Sequence, residues 1–395
     1  MIWKSVNLGN VCEVVRGASP RPISDYITED DDGVNWLKIG DVNEYDKYFR
    51  KANEKIKPSG ISKTREVVVG DLILSNSMSF GRAFITLING FIHDGWLRLR
   101  PNEKVLNKEY LYYFLTSNIA QNQFKTIANG SVVNNLKSDT VKAIKVFLPP
   151  INIQKKIANY LNSIDYKIGL NRTINNNLLE QVITLYKNKF VYTVNDKRKI
   201  CRADEYFDIS IGKTPPRKES QWFSTNPKHV TWVTISDMGT CGLYINNSSE
   251  QITKEAIVSH NIKIVPDNTV LLSFKLTVGR IAITNGEMTT NEAIAHFKTE
   301  KKEINEYLYC YLKCFNYQTM GSTSSIATAV NSKIIKGMPF VIPTDNELEE
   351  FHNLAAPMFA KIKVNQIESE NLAKIRDTLL PKLMSGEIDV SKIDI

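Results

Sequence analysis

The sequence predicts an α+β fold: two α/β units related by a pseudo-twofold axis and joined by a long antiparallel helix pair, a coiled coil. Three observations predict it. The chain of 395 residues repeats itself in order at an offset of 194 to 198. Each half is made of short apolar runs bounded by turn residues. After each half the apolar period lengthens to that of a helix. Two cores of about 150 residues each fit the length.

The repeat is carried by short motifs. Gly17-Ala18-Ser19-Pro20 answers to Gly212-Lys213-Thr214-Pro215, and Trp36-Leu37-Lys38-Ile39-Gly40-Asp41 to Trp232-Val233-Thr234-Ile235-Ser236-Asp237. Leu74-Ser75 to Gly81-Arg82 recurs as Leu272-Ser273 to Gly279-Arg280, and Phe147-Leu148-Pro149 as Val341-Ile342-Pro343. A nearly constant offset over whole halves marks domain duplication rather than a solenoid of short repeats.

Within the halves, 67–75 and 262–273 read as strand, turn, strand. Ala83–Thr86 and Ile281–Thr284 continue the β pattern after a Gly-Arg turn. Glu109–Leu115 and Glu306–Leu312 show the i, i+3, i+4 apolar spacing of a helix. A Gly/Ser/Asn-rich loop follows each helix, and then a strand ending in proline.

Beyond Pro150 the positions Ile157, Leu161, Ile164, Ile168, Asn171, Asn175, Leu178, Val182 and Leu185, apolar but for the two asparagines, alternate spacings of three and four. The positions 194 later are Phe351, Ala355, Met358, Ile362, Asn365, Ser369, Leu372, Arg376 and Leu379. Sustained 3-4 alternation predicts a helix–helix seam, and matched polar seam positions predict a fixed register. About 30 residues of helix span roughly 45 Å, which suggests a ruler with a reader at each end.

Charge supports the pairing. The net charge of +8 divides into +4 over residues 1–150, +4 over 151–195, +3 over 196–345 and −3 over 346–395. Two mildly basic units fit a phosphate-rich partner, and the connectors are of opposite sign. No apolar run is long enough for a membrane span and Met1–Lys4 lead into no signal sequence. A cytoplasmic protein without disulfides is therefore expected, since the five cysteines are odd in number and scattered.

These motifs, with Thr290-Asn291-Glu292-Ala293 and the ending Leu379-Leu380-Pro381-Lys382-Leu383-Met384-Ser385-Gly386-Glu387-Ile388, resemble the specificity subunit of type I restriction-modification systems. The segment around Ile92-His93-Asp94-Gly95 departs from the Thr-Asn-Glu-Ala pattern, and the first helix keeps only a degraded form of the ending. The resemblance implies target-recognition domains at 1–150 and 196–343, a conserved spacer helix at 151–195, and a second one with a C-terminal tail at 344–395. Each domain would read one half of a bipartite, asymmetric site in double-stranded DNA. Two methyltransferase subunits would dock on the helices, and restriction subunits could join. Catalysis and cofactors would belong to those partners, which would use S-adenosylmethionine, ATP and Mg²⁺, with none in this subunit.

The residues themselves agree. Asn226-Pro227-Lys228-His229 fails the tetrapeptide an amino-methyltransferase needs, and no phosphate-binding Gly-x₄-Gly-Lys-Ser/Thr occurs. The five histidines have no metal-ligand spacing. One nuclease-like pattern exists: Asp267 after Pro266, with Glu300 and Lys302, in which carboxylates would hold Mg²⁺. Turn chemistry explains it better, because the first half lacks the proline and has Gly70-Asp71 there.

Candidate DNA contacts flank the repeated turns. They are Arg16, Arg21, Lys38, Lys213, Arg217 and Lys218, together with the loops inside the Ser-x₅-Gly-Arg frames: Asn76, Ser77, Ser79 and Arg82 in one half, Lys275, Thr277 and Arg280 in the other. Equal frames carrying different side chains suit two different half-sites, because donors and acceptors tell base edges apart. Asn129, Ser131 and Asn134, and Ser322, Ser324 and Asn331, form a second candidate surface. The rival readings are a Mg²⁺-dependent nuclease using Asp267, Glu300 and Lys302, and a coiled-coil scaffold that binds only protein.

Overall fold

Leu72–Ser75 and Val270–Ser273 are buried at all four positions, as expected of apolar runs at the centre of a sheet. The computed structural model describes residues 3–42, 46–77, 80–128, 135–320 and 330–391. Its two units are Met1–Lys167 with Asn371–Ile395, and Ile168–Glu370.

In the first unit Leu72–Ser75 is central to a sheet ordered Cys12–Arg16, Trp96–Pro101, Leu72–Ser75, Ala83–Thr86, Tyr48–Phe49. In the second the order is Asp208–Ile211, Ile294–Lys298, Val270–Ser273, Ile281–Thr284, Tyr244–Ile245. Neighbours are antiparallel except the last pair, which is parallel in both units. The duplication read from the sequence is thus repeated strand by strand.

A second sheet shows where the copies diverge. In the first unit it runs Ile27–Thr28, Glu54–Ile56, Val34–Leu37, Gly90–Ile92, Arg65–Val67. In the second, four strands are equivalent, but the place of Arg65–Val67 is taken by a single bridge between Val265 and Met288. The strand expected at the start of 262–273 therefore does not form. A helix over Lys254–His260 ends at Asn261 in the left-handed region, which leaves four residues before Pro266. Proline has no N–H to extend the ladder.

The helices expected at 109–115 and 306–312 form as Lys108–Thr116 and Asn305–Cys314. Both are buried almost all round rather than on one stripe. Their tyrosines suit this position because the ring packs while the hydroxyl finds an acceptor. Tyr110 donates to the Phe147 carbonyl at 3.1 Å and Tyr307 to that of Val341 at 2.7 Å. Those acceptors lie on the strands that precede the prolines, Lys145–Leu148 and Pro339–Ile342.

The long helices are Ile151–Tyr186 and Asp345–Ser385. In the first unit Ile157, Ala158 and Leu161 share a core with Leu380, Leu383 and Met384, and Arg376 donates to Asp165 at 2.8 Å. In the second unit Val182 and Tyr186 share a core with Phe351, Ala355, Phe359 and Ile362. Within each unit partner numbers fall as the first helix rises, so the segments run antiparallel. Lys189 pairs with Glu350, a contact of the sign that the connector charges suggested, whereas the Arg376–Asp165 pair has the opposite sign. Arg198, just beyond the first connector, pairs with Glu347.

Of the seam positions, Ile157, Leu161, Ile164, Asn171, Val182, Ile362 and Asn365 are buried. Ile168, Leu178, Leu185, Met358, Leu372 and Leu379 are half-buried. Toward the ends burial moves one residue on, to Tyr186 and Leu380. A helix of 3.6 residues per turn drifts against a 3.5-residue repeat, which is the physical reason for that shift.

Candidate nucleic-acid interface

The repeated motifs are the joints of a shared frame. A Cβ at Gly17 would lie 2.1 Å from the His93 carbonyl oxygen, and one at Gly212 would lie 2.0 Å from Thr290 Oγ1. Only glycine lets these turns approach so closely. Gly81 and Gly279 have φ of 83° and 90°. There the Ser75 hydroxyl accepts from the Arg82 amide at 2.9 Å, and the Ser273 hydroxyl from the Arg280 amide at 3.0 Å. Ser-x₅-Gly-Arg is thus a loop closed by its own serine. Asp41 and Asp237 likewise accept from the amides of Lys38 and Thr234, at 2.9 and 2.8 Å.

One joint was not legible as a site residue. Ser19 donates to Asp94 at 2.7 Å, and Thr214 donates to Glu292. The loop amides of Asn76 and Phe274 bond to Gly95 and Ala293, both at 2.9 Å. His93-Asp94-Gly95 is therefore the structural equivalent of Asn291-Glu292-Ala293, despite the difference in residues. The Ser19 hydroxyl holds the Asp94 carboxyl below its ordinary range. Burial alone would raise Glu292, but the Thr214 hydroxyl, its own amide, Lys275 and Arg217 hold it low. In each unit an ionised carboxylate thus ties down the Gly-x-Ser/Thr-Pro turn through its hydroxyl.

Around Asp94 the first unit gathers its cations. Arg16 Nε donates to the Asp94 carbonyl at 3.0 Å. Arg21, 82% exposed, has its guanidinium 3.8 Å from the Asp94 carboxylate. Lys38 pairs with Glu54. Ser19, Arg21, Trp36, Lys38, His93 and Asp94 line a cavity of about 620 Å³, and burial lowers the pKa of His93. Asn76 faces inward: it is buried and donates to the Asp94 carbonyl at 2.9 Å. Ser77 is half-buried. The Arg82 guanidinium lies over the Phe84 ring at 5.5 Å.

In the second unit Lys213 donates to the His260 carbonyl at 2.6 Å. Arg217 Nη1 donates to both carboxylate oxygens of Glu250, at 2.8 and 3.0 Å, and the guanidinium covers Phe223 and Trp232, at 4.3 and 4.6 Å from the ring centres. Such a stacked, paired arginine holds the surface together as much as it presents charge. Arg280 turns inward and donates to the Ile235 carbonyl at 2.6 Å. Lys218, Lys275 and Thr277 are exposed. Asn331 caps the helix Ser332–Lys336 by accepting from the Ile334 amide. Ser79, Asn129, Ser131, Asn134, Ser322 and Ser324 lie outside the described residues.

The nuclease-like trio is employed in local structure. Asp267 accepts from the Gly286 amide at 2.6 Å, and Lys302 donates to the Asn268 carbonyl at 3.3 Å. Glu300 is exposed. No group of three potential metal ligands occurs among the described residues, and among them no helix is long and apolar enough to cross a membrane.

Known proteins are similar to this chain over nearly its full length. The MjaIX type I restriction enzyme specificity subunit of Methanocaldococcus jannaschii is 25% identical over 99% of this chain and 94% of its own length. The HindI specificity subunit of Haemophilus influenzae is 21% identical over 98% of this chain and 99% of its own. The crystal structure of a type I restriction-modification system S subunit from M. genitalium superposes with a TM-score of 0.54 at 17% identity, covering 97% of this chain and 96% of that one. The family model of the type I restriction modification DNA specificity domain matches twice, over residues 2–180 and 195–375, and the chain belongs to that family.

Proposed function

We propose that this specificity subunit reads a bipartite, asymmetric site in double-stranded DNA, one half with each unit, and leaves catalysis to its partners. The observation that carries the reading is the pair of equivalent loop frames with different contents. Serine, glycine and the neighbouring carboxylate are kept in both, while the side chains between them differ. A constant frame with variable contents is what two distinct base sequences require. Arg21, Lys218 and Lys275 supply sequence-independent attraction to phosphates.

The long helices dock two methyltransferase subunits and set the unread spacer, and restriction subunits join that assembly in the cytoplasm. S-adenosylmethionine, ATP and Mg²⁺ act on those partners rather than here. Co-expression with the cognate methyltransferase subunit, followed by single-molecule sequencing of genomic adenine methylation, tests the proposal. A two-part asymmetric motif with a fixed gap is the expected result. An active, purified complex that methylates with no motif overturns it.

A further inference from the structure

Leu276 departs from two local rules at once. Its side chain is 100% exposed, and its φ of 58° lies in the left-handed region, which a residue with a Cβ disfavours. The other non-glycine residues with positive φ among those described, Asn261 and Asn268, are of the type that tolerates it through local hydrogen bonding. Leu276 is instead the centre of a γ-turn, closed by the Thr277 amide donating to the Lys275 carbonyl at 2.6 Å, a rare and strained turn in which the leucine side chain makes no hydrogen bond of its own. Strain and exposed apolar surface at the same residue point to a use outside the fold.

The loop around it is firmly held. Phe274 is fully buried, and its amide donates to Ala293 at 2.9 Å. The Ser273 hydroxyl donates to the Thr277 carbonyl at 2.6 Å, and the Gly279 amide to Ser273 at 3.0 Å. Leu276 is thus presented on an anchored loop between exposed Lys275 and Thr277. The Phe274 amide bonds to Ala293 and the Thr214 hydroxyl to the adjacent Glu292, which puts the loop beside the basic Gly-x-Thr-Pro turn.

We propose that Leu276 is a specificity-determining residue that packs against the C5 methyl group of one thymine in the major groove of the half-site read by residues 196–343. The inference rests on the DNA-recognition reading. Phosphates offer an apolar tip nothing and sugars carry no sequence information, whereas the thymine methyl is the apolar feature of the major-groove base edges. Lys275 on one side suits a phosphate and Thr277 on the other a base or phosphate oxygen.

The test uses the full complex with its methyltransferase subunits and a duplex carrying the mapped site. Each thymine in that half-site is replaced in turn by deoxyuridine, which lacks only the methyl group, and affinity is read by fluorescence anisotropy. One replacement should weaken binding about fourfold, the value of one buried methyl. Leu276→Asn keeps a residue that accepts the left-handed backbone. It should weaken binding to the native duplex at least as much and abolish the difference between thymine and deoxyuridine. The proposal is overturned if all replacements are neutral, if L276N retains the deoxyuridine penalty, or if the half-site holds no thymine on either strand. Failure of the underlying reading looks different: the wild-type complex then shows no sequence preference for either half.

Discussion

Asn171 donates through its side-chain amide to the backbone carbonyl of Asn365 at 3.3 Å, a residue 194 positions away and its counterpart in the repeat. Each is about 1% exposed. The same Asn171 amide reaches Glu368 at 2.8 Å and Ser369 at 3.2 Å, and Asn365 donates to Asn175 at 2.8 Å. A polar cluster in an otherwise apolar seam is satisfied in one register only, because a slip leaves buried groups unpaired.

Asn171→Ala is therefore expected to destabilise the chain by about 1–3 kcal/mol, the cost of orphaned buried polar groups. Urea denaturation of the full chain checks it. Asn176 is exposed on the same helix and serves as the control, since Asn176→Gln should stay within about 0.5 kcal/mol.

His296 gives a pH dependence of definite sign. It is fully buried, between the hydroxyls of Ser210 at 3.0 Å and Thr290 at 2.7 Å, and burial lowers its pKa to about 3. Folding keeps the ring neutral while the unfolded chain takes up a proton below about pH 6.5. Its contribution is complete above that pH and is lost as pH falls toward 3, at up to about 1.4 kcal/mol per unit. Comparing denaturation at pH 7.5 and 5.5, His296→Gln should remove that part of the slope.

Two arginines in the candidate interface should behave differently. Arg21→Ala removes an exposed cation, so the slope of log K against log salt should fall by about one with little change in Tm. Arg217→Ala strips the pair with Glu250 and the cover over Trp232, so thermal stability should fall as well. Salt titration of DNA binding beside a melting curve distinguishes them.

A seven-residue insertion in both long helices keeps the 3.5-residue phase. The proposed spacer role then predicts a methylated motif with both halves unchanged and a longer gap. Genomic methylation mapping of the variant reads the gap directly, and an unaltered gap would count against the helices as ruler.

The repeated strands, the two buried helices and the paired long helices were legible because each depends on a local period or on motifs present twice. Trp232, Ser273 and Gly279 could be matched to Trp36, Ser75 and Gly81 by offset alone. The strand expected at Ile262–Val265 fails to form, because a helix ending at Asn261 and a proline at 266 leave no room for a ladder.

Sequence by itself determined the duplication, the helical seam with its polar positions, and the presence of basic turns, since these follow from residue type and spacing. Only the tertiary structure decided which side chains are available. Asn76 and Arg280 turn inward, Arg217 is stacked and paired, Asp94 takes the place of Glu292, and Leu276 is fully exposed. The reason is physical: exposure and hydrogen-bond partners are set by residues tens of positions away, such as Asp94 for Ser19 and Ile235 for Arg280, and no local pattern encodes those meetings.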